Sequence, residues 1–153
     1  MSLRAKINDS LKEAMKSRAK ERLSTLRLVN AAIKDMEISL RGEGKEEGVS
    51  EADVLQILSK MVKQRQESAK TYEEGGRLDL AEGELNEITI IEEFLPQKLS
   101  EEEIVSAIDA VVAEVGANSI RDMGKVMGGL KAKYTGQMDF GQVGGMVKER
   151  LNQ

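Results

Sequence analysis

The chain has 153 residues, 40% hydrophobic and 33% charged, with a net charge of −4, eight methionines, one proline, and neither cysteine nor histidine. That composition excludes disulfides, thiol nucleophiles, structural zinc sites and histidine general-base catalysis, and the length fits one domain or two small ones. Aromatic content of 3% leaves an aliphatic and methionine-based core, and a single proline favours long helices, which proline would interrupt.

Apolar residues recur at helical spacing from the start. Leu3, Ile7, Leu11 and Ala14 or Met15 predict a first helix from Ser2 to Met15. Leu26, Val29, Ile33, Met36 and Leu40 form one buried stripe of a second, from Ala19 to Leu40, with Gly42 as its C-cap. Residues 42–48, GEGKEEG, read as a polar, mobile loop without phosphate-loop spacing. Ser50 and Asp53 resemble a capping box. It opens a third helix with Val54, Leu58, Met61 and Tyr72 on one face, interrupted by Arg65 and Ser68 and ended by Gly75 and Gly76. A fourth helix runs from Asp79 to Phe94 with Leu80, Ile88, Ile91 and Leu95 inward. It stops at Pro96, because the residue before a proline is pushed out of the helical region.

Pro96 is the expected domain boundary, with a four-helix part over 1–96 and a three-helix bundle over 97–153. Ser100 and Glu103 form the next capping box, and three glutamates occupy the first turn, where the helix dipole favours negative charge. Ile104, Ile108, Val111 and Val115 line this fifth helix, and Gly116 ends it. Ser119 opens a sixth with Met123, Val126 or Met127, Leu130 and Tyr134 inward, ended by Gly136. Asp139 caps a seventh with Val143, Val147 and Leu151 inward. No segment alternates with period two, so the expected fold is all-α without a sheet, and no close internal repeat is evident. A bundle of about 55 residues buries only about 60% of its chain surface and is marginal alone.

The N-terminal stretch is basic and amphipathic but lacks the apolar core of a secretory signal. Asp9, Glu13 and Glu21 argue against a mitochondrial address. No run approaches the roughly 18 apolar residues of a membrane span. With no cysteine, the expected location is the cytoplasm, without membrane contact.

Charge is unevenly spread. Residues 1–40 carry nine cations against five anions, 41–100 eight against fourteen, 101–120 none against five, and 121–153 six against three. Basic ends flanking an acidic middle point to an anionic partner for the ends, although solvated helix faces give the same pattern. No phosphate-loop, dinucleotide-binding or nucleophile-elbow motif occurs. The carboxylates lie on expected solvent faces, where nothing shifts a pKa toward acid–base work. Neither self-contained catalysis nor a cofactor or metal is expected.

Two constellations remain. Arg65, Ser68 and Tyr72 share one helix face at spacings of three and four. With Arg77, Asp79 and Glu84 they straddle the Gly75-Gly76 turn. Arg65 or Arg77 gripping Asp79 or Glu84 gives either a brace for the helical hairpin or a recognition patch. The second constellation is Gly124, Gly128 and Gly129 on one helix, surrounded by Lys125, Lys131, Lys133 and Lys148, with Gly141, Gly144 and Gly145 repeating the theme. Glycine inside a helix costs up to about 1 kcal/mol against alanine. Either another helix packs very close, or a ligand backbone approaches. Lysines beside bare backbone suit sugar–phosphate contact. Scarce aromatics argue against single-strand stacking, so a folded RNA fits better.

At these residues the chain resembles a known family. RQESAKTYEEGGRLDLAEGELNEITIIEEFLPQKLSEEEI (65–104) and MGKVMGGLKAKYTGQMDFGQVGGMVKERL (123–151) resemble the central and C-terminal signatures of the GatB/YqeY family. The likeness covers nearly the whole chain, which looks like the free-standing YqeY form. The resemblance implies an all-helical fold with a larger N-terminal and a small C-terminal bundle. In that family the module forms the tail of the B subunit of the glutamyl/aspartyl-tRNA amidotransferase, a carbon–nitrogen ligase with glutamine as amido-N-donor. There it helps hold the tRNA. By position, Gly124, Lys125, Met127, Gly128, Lys131 and Gly136 fall on the tail motif. The chain lacks the kinase-like core that activates the carboxylate and the Ser–Ser–Lys arrangement of an amidase. The resemblance therefore implies association with amidotransferase subunits rather than ligase activity of this chain. The expected function is a tRNA- or structured-RNA-binding module; the alternative is a protein–protein adaptor or accessory subunit without nucleic-acid contact.

Overall fold

The computed structural model describes residues 2–45 and 47–152, so Glu46 of the expected mobile loop lies outside the described residues. Among the described residues seven α-helices follow one another: α1 Leu3–Ser17, α2 Lys20–Gly42, α3 Glu51–Glu74, α4 Leu78–Glu92, α5 Glu101–Val115, α6 Met123–Tyr134 and α7 Phe140–Leu151. There is no strand among the described residues, and the fold is all-α. No helix among them is long and apolar enough to cross a membrane. The chain divides into two compact units, Met1–Pro96 and Gln97–Gln153.

In the first unit the expected caps form. The Ser2 hydroxyl accepts from the Ala5 N–H at 3.1 Å. Ser50 and Asp53 exchange reciprocal bonds of 3.0 and 3.1 Å. The apolar stripes of all four helices meet in one core that includes Ile7, Leu26, Val29, Ile33, Leu58 and Ile91. Arg4 and Arg41 both reach Glu37, at 2.8 and 3.1 Å, and Arg22 pairs with Glu93 across to the end of α4. The α1–α2 corner turns on Arg18 in the left-handed conformation, φ 58°.

Several sequence expectations shift by one or two residues. Helix α2 runs through Gly42, and the left-handed position after it is Gly44, φ 78°. Left-handed Gly76, φ 76°, re-aims the chain into α4, so Ala81 is buried and Leu80 stands 39% exposed. Ala14, rather than Met15, carries the α1 stripe inward.

In the second unit, Ser100 and Glu103 cap α5 with two 3.2 Å bonds, and Gly116, φ 66°, ends it. Ser119 opens a single 3-10 turn, Ile120–Asp122, rather than α6 itself. There the Asp122 carboxylate accepts from the Asn118 N–H at 3.1 Å. Asp139 caps α7 through the Gly141 N–H at 3.0 Å. Ile108, Val111, Val126, Leu130, Val143 and Val147 are core residues of this unit, joined by Ala107, Val112 and Met138. Leu99 packs onto that core, and its N–H donates to the Gln137 carbonyl at 2.9 Å.

Candidate nucleic-acid interface

Helix α6 buries Val126 and Leu130, with Met123, Met127 and Tyr134 partly covered beside them. At 3.6 residues per turn, Gly129 and Lys133 then fall on one flank. That flank meets α5. A Cβ on Gly129 would lie 2.8 Å from Val111 Cγ1, so this glycine serves close packing. Lys133 pairs with Glu114 of α5. The opposite flank holds Gly124, Gly128 and Lys131 in steps of four and three. Here a Cβ on either glycine would meet nothing within 4 Å. The glycines of α6 therefore split: one admits α5, and two lie bare on an exposed surface.

Helix α7 carries the same arrangement. Gly124, Val126, Gly128, Leu130, Lys131 and Lys133 of α6 correspond in type and spacing to Gly141, Val143, Gly145, Val147, Lys148 and Arg150 of α7. Val143 and Val147 are buried, and Arg150 donates to Asp109 of α5 at 2.9 Å, as Lys133 does to Glu114. Gly141, Gly145 and Lys148 are exposed, and a Cβ on Gly145 would meet open space. Gly144 faces α6, where a Cβ would make ordinary contact with the ends of Met123 and Met127 at 3.8 and 3.9 Å, so the site has room for a side chain. This short repeat corrects the expectation of none. At one helix per copy it falls below the 20–50-residue periods that mark repeat architectures, and its Met127/Gly144 and Gly129/Met146 mismatches hide it.

On each helix the cation that reaches α5 lies opposite the glycine–lysine stripe, so both stripes face away from α5. Lys131 and Lys148 make no ion pair among the described residues. Lys125, on the neighbouring exposed face, lies 4.0 Å from Asp122. Lys133 is the expected contact residue that the structure places elsewhere, on the α5 side. Glu149 is the acidic residue beside the α7 stripe.

The other constellation does not form one network. Arg65 donates to Glu87 at 2.8 Å and to the Met61 carbonyl at 3.2 Å, instead of to Asp79 or Glu84. Arg77 grips Asp79 through two bonds of 3.3 and 3.2 Å, and this hydrogen bonding holds the Asp79 carboxyl below its usual value. Both partners are exposed. Glu84 pairs with neither arginine. Ser68 and Tyr72 line a shallow depression on α3 with Gln64, Glu67 and Thr71. Arg65 lies ten residues before Gly75 and Glu87 eleven after Gly76, so the antiparallel hairpin sets Glu87, rather than Glu84, level with Arg65.

A family model described as Yqey-like protein matches residues 4–151. The chain belongs to the YqeY-like family. That family occurs in the GatB C-terminal region and as free-standing YqeY proteins. An uncharacterized protein of Schizosaccharomyces pombe is 33% identical over 99 residues, 65% of this chain and 76% of that one. Altered inheritance of mitochondria protein 41, mitochondrial, from Clavispora lusitaniae is 32% identical over 119 residues, covering 76% and 66% of the two chains. Its counterpart from Kluyveromyces lactis is 32% identical over 114 residues, covering 72% and 57%. The match thus spans less than two thirds of the length of those mitochondrial relatives.

These relatives overturn the cytoplasmic expectation, since they are named as mitochondrial proteins. Asp9, Glu13 and Glu21, the acids that argue against a mitochondrial address in the sequence, lie exposed on α1 and α2. Helix α1 is a folded part of the YqeY-like domain, with Ile7 and Ala14 in the core. Its charge therefore reflects its solvent face and says nothing about targeting. The YqeY-like domain has no evident catalytic role.

Proposed function

We propose that the second unit docks the sugar–phosphate backbone of a structured RNA, tRNA being the first candidate, through the paired glycine–lysine stripes of α6 and α7. The observation that carries this reading is the open space above Gly124, Gly128 and Gly145. Each costs helix stability by up to about 1 kcal/mol, and no neighbouring atom explains it. Bare backbone lets a phosphate chain approach closely, and Lys131 and Lys148 stand at the end of each stripe without an ion-pair partner among the described residues. Such contacts position a nucleic acid without reading its bases. The likeness to the GatB tail supports tRNA as the ligand and an amidotransferase as a neighbour, with this chain contributing binding and no ligase chemistry.

Filter binding of tRNA at two salt concentrations tests the proposal. Affinity is expected near the non-specific range of about 10⁻⁴ to 10⁻⁶ M, because the net charge of −4 opposes a polyanion at long range. Binding falls with salt as counterions are released. Lys131→Gln with Lys148→Gln lowers the magnitude of the log–log salt slope by about one per lysine, and Gly128→Leu weakens binding without unfolding the unit. Absence of binding at low salt sinks the RNA reading and leaves the adaptor.

A further inference from the structure

The first unit carries a surface that the RNA reading does not use. Helix α2 is 23 residues long, and the core side of it holds Thr25, Leu26, Val29 and Ile33. Its outer side is exposed from one end to the other. Down that side run Lys20, Arg27, Lys34 and Arg41, one cation every seventh residue, a spacing of about 10.5 Å along the axis. The side chains of Lys20, Arg27 and Lys34 make no ion pair or hydrogen bond among the described residues, Lys34 acting on Glu37 only through its charge, and Arg41 reaches its own-helix neighbour Glu37. Beside this row lies a second line in alternating steps of four and three: Ser24, Leu28, Ala31, Asp35 and Ile38. Leu28 is 46% exposed and Ile38 is 65% exposed.

A repeat of seven with a flanking row of one charge sign is the pattern of a helix-packing seam. In such seams side chains at alternating steps of three and four meet the partner, and the flanking charges choose it. The N-terminal end of the face already has the shape of a socket. Lys20, Leu23, Ser24 and Arg27, the four positions that form a hole for an incoming knob, line an open depression with Leu28. Ser24, the smallest of them, deepens it.

We propose that this face of α2 is a docking site for an amphipathic helix with acidic flanks from a partner protein. The four cations set the sign of the partner, since complementary charge selects and orients it. A second copy of the same face would set cations against cations. Leu28, Ala31 and Ile38 require an apolar counterpart, which a phosphate backbone does not offer. Asp35, in the middle of the seam, opposes a uniformly anionic lipid or RNA surface and is met by a single basic or hydrogen-bonding residue of a helix.

The surface is independent of the RNA reading and is tested separately on the full chain. The probe is a fluorescent synthetic helix of about four heptads, leucine at the seam positions and glutamate at the flanks, with a lysine-flanked counterpart as control. Anisotropy titration is expected to show saturable, salt-sensitive binding of the glutamate peptide and none of the control. Arg27→Glu with Lys34→Glu weakens the glutamate peptide by about tenfold or more and admits the lysine peptide. Ile38→Asp weakens binding through the seam alone. All three positions are exposed, and an unchanged thermal melt shows that the variants remain folded. Failure of the glutamate peptide to bind, equal binding of both peptides, or indifference to the charge reversal overturns the proposal. So does a preference of the same cations for anionic vesicles or tRNA over the peptide.

Discussion

The division of labour among the α6 glycines gives a prediction with opposite signs at neighbouring positions. Gly124→Ala and Gly128→Ala add a methyl into open space, so only the helix-propensity gain of about 1 kcal/mol acts, and each variant is more stable. Gly129→Ala gains the same propensity but sets its Cβ 2.8 Å from Val111 Cγ1. Val111 is 1% exposed and β-branched, hence stiff at its first torsion, and cannot swing clear. Overpacking of this kind costs about 1–3 kcal/mol, so the net effect is a loss of up to about 2 kcal/mol once the propensity gain of about 1 is subtracted. Urea denaturation followed by circular dichroism measures these differences. A cycle with Val111→Ala isolates the clash: in that background Gly129→Ala becomes neutral or favourable. If Gly129→Ala stabilises the chain as much as Gly128→Ala does, the close α5–α6 approach is refuted. The packing explanation for Gly129 then falls with it.

Arg65→Met removes the partly buried pair with Glu87, whose side chains are 14% and 28% exposed. It is expected to cost about 1.5–3 kcal/mol, as for hydrogen bonds to charged groups, whereas Arg77→Met at an exposed, solvent-screened pair costs far less; equal losses in a thermal melt contradict the assignment of Arg65 as the brace. Thr25 is fully buried and its hydroxyl has no hydrogen-bond partner among the described residues. Thr25→Val keeps the shape and removes an unsatisfied group costing about 1–3 kcal/mol, so the midpoint of unfolding rises; a fall shows that the hydroxyl is bonded. The hydrogen bond from Arg4, helped by its charge and by Arg41 and Lys34, holds Glu37 below its usual 4.5. A carboxyl depressed on folding stabilises the fold above its unfolded value, and that stability is lost as pH falls through the folded one. Stability therefore declines with acid below about pH 4.5, and Glu37→Gln flattens that part of the curve. An unaltered acid limb in the variant rules Glu37 out as the cause.

The helices were legible because periodicity and caps agree. Ser50 with Asp53, Ser100 with Glu103, and Asp139 each stand where the chain turns into a helix. What sequence could not decide was which side of an apolar position a neighbour occupies. Leu80 and Ala81 differ by one step of 100°, and the conformation of Gly76 sets the choice. The same applies to the glycines. Spacing puts Gly128 and Gly129 side by side, and only the position of Val111 separates an admitted helix from a bare surface. The pairing of Arg65 with Glu87 has a different cause: the two lie nearly equidistant from the Gly75-Gly76 turn, whereas Asp79 and Glu84 lie nearer to it. The correspondence of α6 with α7 was within reach of the sequence, and its signal was the shared order of glycine, valine, glycine and lysine.

Helix α5 holds five acidic residues between 101 and 114 and no cation. Lys133 and Arg150 offset two of these acids, which leaves an excess of three negative charges along α5, while Lys131 and Lys148 lie on the far side of α6 and α7. The second unit is therefore an electric dipole, negative along α5 and positive across the far side of α6 and α7. A polyanion arriving by diffusion meets a torque before it meets a contact, and is turned toward the glycine side. An overall negative chain can in this way favour one orientation of an anionic partner while discouraging every other.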